Sequence, residues 1–386
     1  MIYLDNAATT MVDPAFKDVI DEFLYNNYGN ANSNHVAGIE PSFAVDYARG
    51  TAAKFFNGNK DDVIFTSGGS EANTLAIVGL ANYLKSIKKC HIITTKYEHH
   101  SVLNAMKEME RRGFLVTYLD VPDGVADIDQ LKMELREDTG LVSVMYVNNE
   151  VGTINNVKEI YKLCRSNDTI FHSDCVQAAG TFELDQAEVA DLMSVSGHKF
   201  HAPKGIGCLY TKFRDKMTPI IFGGEQEGGK RGGTENVAFI AAFGDALEKT
   251  RINMTANNDK MRELALEFLD KLSQKECSKI SQSTIADAVT VNKIISMRFD
   301  GIDSETLINM LSSRGVCISA GSACSSHQVQ PSHVLKAIGL TNAEASSTIR
   351  VSFSDLTTSK EITEFIDILD ECVQDIQKMN MFILEE

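Results

Sequence analysis

From about residue 60 to residue 215, short β-branched runs alternate with longer amphipathic stretches. "DVIFTS" (62–67) predicts a strand, a glycine turn follows, and "EANTLAIVGLANYLKSI" (71–87) carries a helical period. "CHIITTKY" (90–97), "FLVTYLDV" (114–121), "LVSVMYVN" (141–148), "TIFHSDC" (169–175), "ADLMSVSG" (190–197) and "GIGCLYT" (205–211) predict further strands. "SVLNAMKEMERRG" (101–113) and "VKEIYKLCRSN" (157–167) predict helices between them. This alternation predicts an α/β fold with a mostly parallel sheet covered by helices on both faces. Ligands in such sheets bind beyond the carboxyl ends of the strands, so the residues that follow each run are the ones to inspect.

After residue 250 the pattern changes. A helical stretch (256–275) leads into "KIISMRFDG" (293–301), "SETLINMLSSRG" (304–315), "VCISAGS" (316–322), "STIRVSFS" (347–354) and a last helix from Lys360. These elements predict a smaller α+β domain. A chain of 386 residues exceeds one core of ordinary size. The expected division is a large domain over 16–255 and a small C-terminal domain over 256–386, with 1–15 packing against the small one. There is no internal repeat and no low-complexity tract.

Composition narrows the function classes. A hydrophobic content of 43%, with 23% charged residues, belongs to an ordinary globular protein. A formal net charge of -16 argues against nucleic acid or an anionic membrane as the main partner. The N-terminal "MIYLDNAATTMVDP" lacks the basic and apolar parts of a signal peptide. The most apolar run, "TLAIVGLANYL" (74–84), is short of the roughly 18 residues of a membrane span. Eight scattered cysteines without CxxC spacing favour reduced thiols in a cytoplasm and offer no ready zinc site.

Four strand ends carry candidate chemistry. "TSGGSEAN" (66–73) opens a helix after a Gly pair, where free N–H groups and Ser70 make either an anion site or a plain capped turn. "YEHHSV" (97–102) sets His99 and His100 at a strand-to-helix junction. They read as a polar cap or as an imidazole stacked on a planar ligand, since a metal needs three or four converging ligands. In "FHSDCVQ" (171–177), His172 and Asp174 fall on one side of a strand, and Asp174 is either a turn residue or a partner for a protonated ring nitrogen. "SVSGHKFHAPKG" (194–205) places Lys199 between two histidines, as a surface lysine or as a nucleophile of lowered pKa. A Gly-rich anion site, a strand-end Asp and a strand-end Lys are together the parts that hold pyridoxal phosphate.

At the level of motifs, "YLDNAATT", "TSGGSEAN", "EHHSVL", "VNNEVG", "SVSGHKFHAPKGIG", "RGGTEN", "SAGSACSS" and "STIRVSFS" resemble the cysteine desulfurases. These are class V aminotransferase-type enzymes of pyridoxal phosphate fold type I. The motifs run from residue 3 to residue 354, and the segment between Cys324 and "PSHVLKAIGL" is similar to the branch that supplies iron–sulfur clusters. The resemblance implies that Lys199 carries the cofactor as a Schiff base and that His99 stacks on its ring and takes part in proton transfers. It implies that Asp174 pairs with the ring nitrogen and Gln177 with the phenolic oxygen. Gly69, Ser70, Ser196 and His198 would hold the phosphate, with Thr234 reaching it from a second subunit. Asn149 and Arg350 would fix the carboxylate of L-cysteine, the fork of a guanidinium suiting that group.

Cys324 would be the sulfur acceptor, converting L-cysteine to L-alanine and passing a persulfide to a scaffold or other acceptor protein. Small neighbours in "SAGSACSSHQ" (319–328) leave its sulfur unhindered, and the thiolate is the nucleophile. A stretch of about ten residues spans at most ~35 Å, enough to serve an active site and a partner. The family's His-Gly-Gly-Gly-Gln-Glu stretch reads "FGGEQEGG" here, with Phe222 and Glu225 substituted, and its Arg-Ser-Gly-Thr reads "RGGT", with Gly232. Alternatives are a selenocysteine lyase, another class V lyase or transaminase, or a non-catalytic member of a cluster-assembly complex.

Overall fold

The computed structural model describes residues 1–283, 289–320 and 331–385. The chain starts with a short strand, β1 (Ile2–Tyr3). Seven strands follow: β2 (Val63–Thr66), β3 (His91–Thr95), β4 (Leu115–Leu119), β5 (Thr139–Ser143), β6 (Ile170–Asp174), β7 (Leu192–Ser196) and β8 (Gly207–Thr211). They form one sheet in the order β2-β8-β7-β6-β5-β3-β4. The pairs β3–β4, β3–β5, β5–β6 and β6–β7 are parallel, and β8 runs against both of its neighbours. The predicted α/β architecture is therefore present, and each predicted strand of this region lies in the sheet.

Alternation along each strand divides the core in two. Val63, Phe65, Phe171, Met193 and Val195 point to one face, where they meet Ala48, Ala52, Phe243 and Leu247. Those partners come from helices Val36–Phe55 and Val237–Ser273. Ile64, Ile170 and Leu192, one residue out of step, join Leu75 and Met106 on the other face. Helices Gly69–Val78 and His100–Arg111 supply these. Only edge strand β4 shows partial exposure along most of its length, and its polar Thr117 and Tyr118 suit that edge.

The C-terminal part adds β9 (Ser281–Ser283), β10 (Ile294–Phe299), β11 (Val316–Cys317) and β12 (Thr348–Ser352). β10 lies between β9 and β12 in an antiparallel sheet. β1 pairs with β11 in parallel, and Ile2 and Leu4 enter the same apolar cluster as Phe268, Phe299, Ile349 and Phe365. The amino-terminal segment is thus fastened at β1 to the C-terminal elements before it crosses to the large sheet.

Two helices differ from what the pattern predicts. Helix Val237–Ser273 is continuous over 37 residues, where the sequence shows a helical stretch only from 256, and residue 255 falls inside it. Helix Val36–Phe55 has no predicted counterpart. Its Val45, Ala48 and Ala52 are buried while Val36, Phe43 and Tyr47 are exposed, so apolar residues lie on two faces and no single stripe marks it.

Candidate active site

Five strand ends of the large sheet, and one strand of the small one, converge on a single cavity. After β2 the backbone turns at Gly68 (φ +150°), and Gly69 begins helix Gly69–Val78 with Ser70 beside it. After β3, His99 caps helix His100–Arg111. Asn149 follows β5, Asp174 ends β6 with Gln177 three residues on, and Ser196 ends β7 just before the turn Gly197–Lys199. Arg350 enters from β12. Gly69, Ser70, His99, Asn149, Asp174, Gln177, Ser196, His198, Lys199 and Arg350 all line this cavity of about 320 Å³. Strands from Val63 to Ser196 place these groups together because their carboxyl ends share one edge of the sheet.

The hydrogen bonds assign states to the central groups. His99 Nδ1 accepts from the backbone N–H of Ser101 at 3.2 Å and lies 2.8 Å from its hydroxyl. The remaining ring proton therefore sits on Nε2. Burial lowers the His99 pKa; the nearby Asp174 opposes that effect and Lys199 adds to it. Asp174 accepts from Val176 N at 2.9 Å through Oδ1 and from Asn73 Nδ2 at 2.7 Å through Oδ2. His198 contacts Thr9 Oγ1 at 3.2 Å, and burial with Lys199 and Lys204 nearby pushes it down to about 4.

Lys199 donates to the carbonyls of Ala7 at 2.6 Å and Ala8 at 2.8 Å, while Gln177 donates to Ala7 at 2.9 Å. The small side chains of "NAATT" let this backbone approach the lysine, which ties the first motif of the chain to the site. Arg350, 2% exposed, donates to the carbonyl of Asn149 at 2.9 Å and to Asp5 Oδ1 at 2.8 Å.

Several groups at the site escaped the reading of the sequence. Asn73, inside "TSGGSEAN", bridges Asp174 and Ser101. Glu98, the residue before His99, is fully buried, accepts from Thr95 and Met145, and is raised to about 8 by burial. Asp5, Glu150 and His333 also face or adjoin the cavity. The residue types of the motifs gave no sign of these contacts. His172, by contrast, is enclosed between Ser143 and Ser194 as a neutral core histidine.

Two predicted residues remain. Cys324 lies outside the described residues. Thr234 is exposed and does not line the cavity within this chain. The substituted residues nearby have distinct settings. Phe222 is 80% exposed and borders an open depression shared with Ser70, His99 and His100. Gly232 packs directly on Gly223: a Cβ there would sit 2.5 Å from Gly223 Cα. The close crossing of two backbones thus suits glycine at position 232.

Residues 2–365 match the aminotransferase class-V family. The chain is 38% identical to "Cysteine desulfurase IscS" of Dictyoglomus turgidum, over 99% of this chain and 96% of that protein. Among solved structures it resembles a "NifS-like protein" with a TM-score of 0.89 at 32% identity, covering 97% of this chain and 99% of that one. It also resembles "SspA in complex with cysteine" with a TM-score of 0.82 at 31% identity, covering 93% and 100% respectively. With the cavity at the strand ends and the match running almost end to end, the chain belongs to the aminotransferase class-V family.

Proposed function

We propose that this protein is a pyridoxal phosphate-dependent cysteine desulfurase that works in a reducing cytoplasm. The observation that carries the reading is the convergence of Lys199, His99, Asp174 and Arg350 on one cavity. Its donor set fits the cofactor. Asp174, oriented by Asn73, suits a protonated ring nitrogen, and the neutral His99 imidazole suits a place against a ring. Ser70, Ser196, His198 and the helix start at Gly69 supply phosphate donors. A Cβ on Gly69 would sit 2.7 Å from Val176 Cγ2, so this wall accepts no side chain. When bound, the cofactor supplies an electron sink for bonds made and broken around the substrate's Cα.

The protein's own groups do the rest. Lys199, a primary amine at the cavity wall, holds the cofactor between turnovers and moves a proton at the substrate's Cα. Arg350 and Asn149 hold the carboxylate, which fixes the amino acid's orientation. The Cys324 thiolate attacks the substrate sulfur, so the sulfur atom leaves carbon and joins Cys324 as a persulfide. The carbon skeleton takes up a proton and departs as L-alanine, and the persulfide passes to an acceptor protein for cluster assembly or another use.

A second copy of the chain is expected to complete the site. Val36, Ile39, Phe43 and Tyr47 recur at helical spacing and are 46–83% exposed, a stripe that a lone chain leaves in water. Asn32 donates to both oxygens of Glu235 at 2.9 and 2.8 Å, holding the Thr234 segment next to the start of that helix. The apolar stripe and the residue expected to reach across subunits therefore neighbour each other. Residues 16–255 are taken as the cofactor-binding domain and 256–386 as the domain that carries Cys324.

The test is release of alanine and sulfide from L-cysteine, with reductant, by the native protein and by Cys324→Ala. Equimolar products from the native protein and none from the variant support the reading. A native protein that binds the cofactor yet ignores cysteine would overturn it.

A further inference from the structure

Arg350 does not stand alone in the cavity wall. Its guanidinium is almost fully buried, and a buried charge needs a counter-charge and hydrogen bonds to be tolerated. Asp5 provides the charge, with Oδ1 at 2.8 Å from Nη2. The same oxygen accepts from Ser319 Oγ at 2.7 Å. Ser319 and Arg350 are also joined through their backbones, Arg350 N to Ser319 O at 2.7 Å and Ser319 N to Arg350 O at 3.3 Å. Asp5 is itself held by a bridge to Ser352, two residues beyond Arg350 on the same strand. Asp5 is thus held by its backbone and by its Oδ1, and Nη1 is taken up by the Asn149 carbonyl.

We propose that Asp5 is a positioning residue for the substrate: its carboxylate sets the plane of the Arg350 fork, so that the amino acid's carboxylate is accepted in a single orientation. The inference rests on Arg350 being the group that takes the substrate carboxylate. A guanidinium is planar, and its remaining N–H directions follow once two contacts are fixed. An Asn at position 5 keeps an acceptor for Ser319 but removes the charge that holds the fork. Ser319 acts one step further out, because it restrains Asp5.

The experiment compares L-cysteine with cysteamine, which has the same amine and thiol but no carboxylate. Both are titrated into the cofactor-loaded protein and followed by the change in cofactor absorbance, alongside KM and kcat for L-cysteine. Asp5→Asn is expected to weaken L-cysteine by about tenfold in spectral affinity and in KM, the scale of one charge-assisted hydrogen bond. Cysteamine affinity stays unchanged. Ser319→Ala shifts L-cysteine in the same direction by less, and it keeps the test decisive if Asp5→Asn does not fold. Equal weakening of both ligands would mean that Asp5 only supports the fold, and unchanged L-cysteine binding would also overturn the proposal. Arg350→Leu separates the two levels. If it weakens L-cysteine and Asp5→Asn does not, the Asp5 role alone fails; if neither weakens it, the reading of Arg350 fails as well.

Discussion

Asn73 and Asp174 are joined by a 2.7 Å hydrogen bond, amide to carboxylate, in the buried floor of the cavity. The same amide nitrogen reaches Ser101 Oγ at 2.9 Å, and that hydroxyl lies against His99 Nδ1. One side chain therefore orients the carboxylate proposed to pair with the ring nitrogen and steadies the residue proposed to lie on the ring face. Asn73→Ala is expected to lower pyridoxal phosphate affinity by about tenfold, because a hydrogen bond to a charged group is lost. Asn73→Asp is expected to do worse, since two carboxylates would then share one buried site. Titrating apoprotein with cofactor, followed by absorbance, checks both; equal affinity in all three proteins would remove Asn73 from the site.

Lys199 is the residue proposed to carry the cofactor and move the proton. Its amine donates to the carbonyls of Ala7 and Ala8, and neither interaction is one that the fold of the sheet requires. Lys199→Ala is therefore expected to fold and to retain some cofactor while losing desulfuration by about 10²–10⁴-fold or more, the scale of a missing acid–base group. Circular dichroism and alanine release measure the two sides. Residual activity near the native level would assign the proton transfers elsewhere.

Much of this was legible in the chain because its signals are local. The β-branched runs, the Gly68–Gly69 turn, and the strand ends at Asp174 and Ser196 follow from period and turn chemistry within a few residues. What escaped depends on pairs far apart. Asp5 meets Arg350 across 345 positions, and no local pattern in "YLDNAATT" marks an ion pair. Glu98 reads as a polar residue in "YEHH", yet the backbone of Met145 and the Thr95 hydroxyl enclose it. Helix Val36–Phe55 was hidden because a face that looks outward in one chain is apolar too.

A second lysine lies behind the first. Lys293 borders the same small cavity as Lys199, about 60 Å³ in volume, and its ammonium makes no hydrogen bond or ion pair among the described residues. Burial, with the Lys199 charge nearby, lowers it from its ordinary value of 10.5 to about 8. Between those values the unfolded chain binds the proton and the folded one does not, so this residue makes stability rise with pH from about 8 to 10.5. Below about 8 the folded state carries the full cost of a charged, poorly solvated ammonium. Lys293→Met is expected to raise Tm most at pH 7 and to lose that advantage by pH 10, a comparison that melting curves across ~pH 7–10 make directly. A constant difference across the range would mean that Lys293 stays charged and solvated.

The pair Arg49–Glu227 makes the opposite case, a buried charge that is satisfied. Nη1 donates to Oε2 and Nη2 to Oε1, each at 2.7 Å, and Glu227 accepts from Phe65 N at 3.2 Å as well. Arg49→Met strands the carboxylate and is expected to cost about 3–5 kcal/mol by chemical denaturation. The double variant Arg49→Met/Glu227→Leu is expected to recover part of this, because the uncompensated charge is gone. Additive losses would show that packing of the two side chains, and not their charges, sets the cost.

Gly232 tests whether the departures from the family pattern are structural or chemical. A Cβ there would lie 2.5 Å from both Gly223 Cα and Gly223 N, and a Cβ on Gly223 would lie 2.9 Å from Gly232 Cα. The two backbones touch, so restoring the serine must push them apart. Gly232→Ser is expected to cost about 1–3 kcal/mol, as overpacking does elsewhere, and to displace the neighbouring Thr234. Phe222, at 80% exposure, has no such constraint, so Phe222→His should leave Tm unchanged. Measuring Tm and cofactor affinity for both variants separates the effects. If Gly232→Ser melts with the native protein, the backbones have room to part and the glycine needs another explanation.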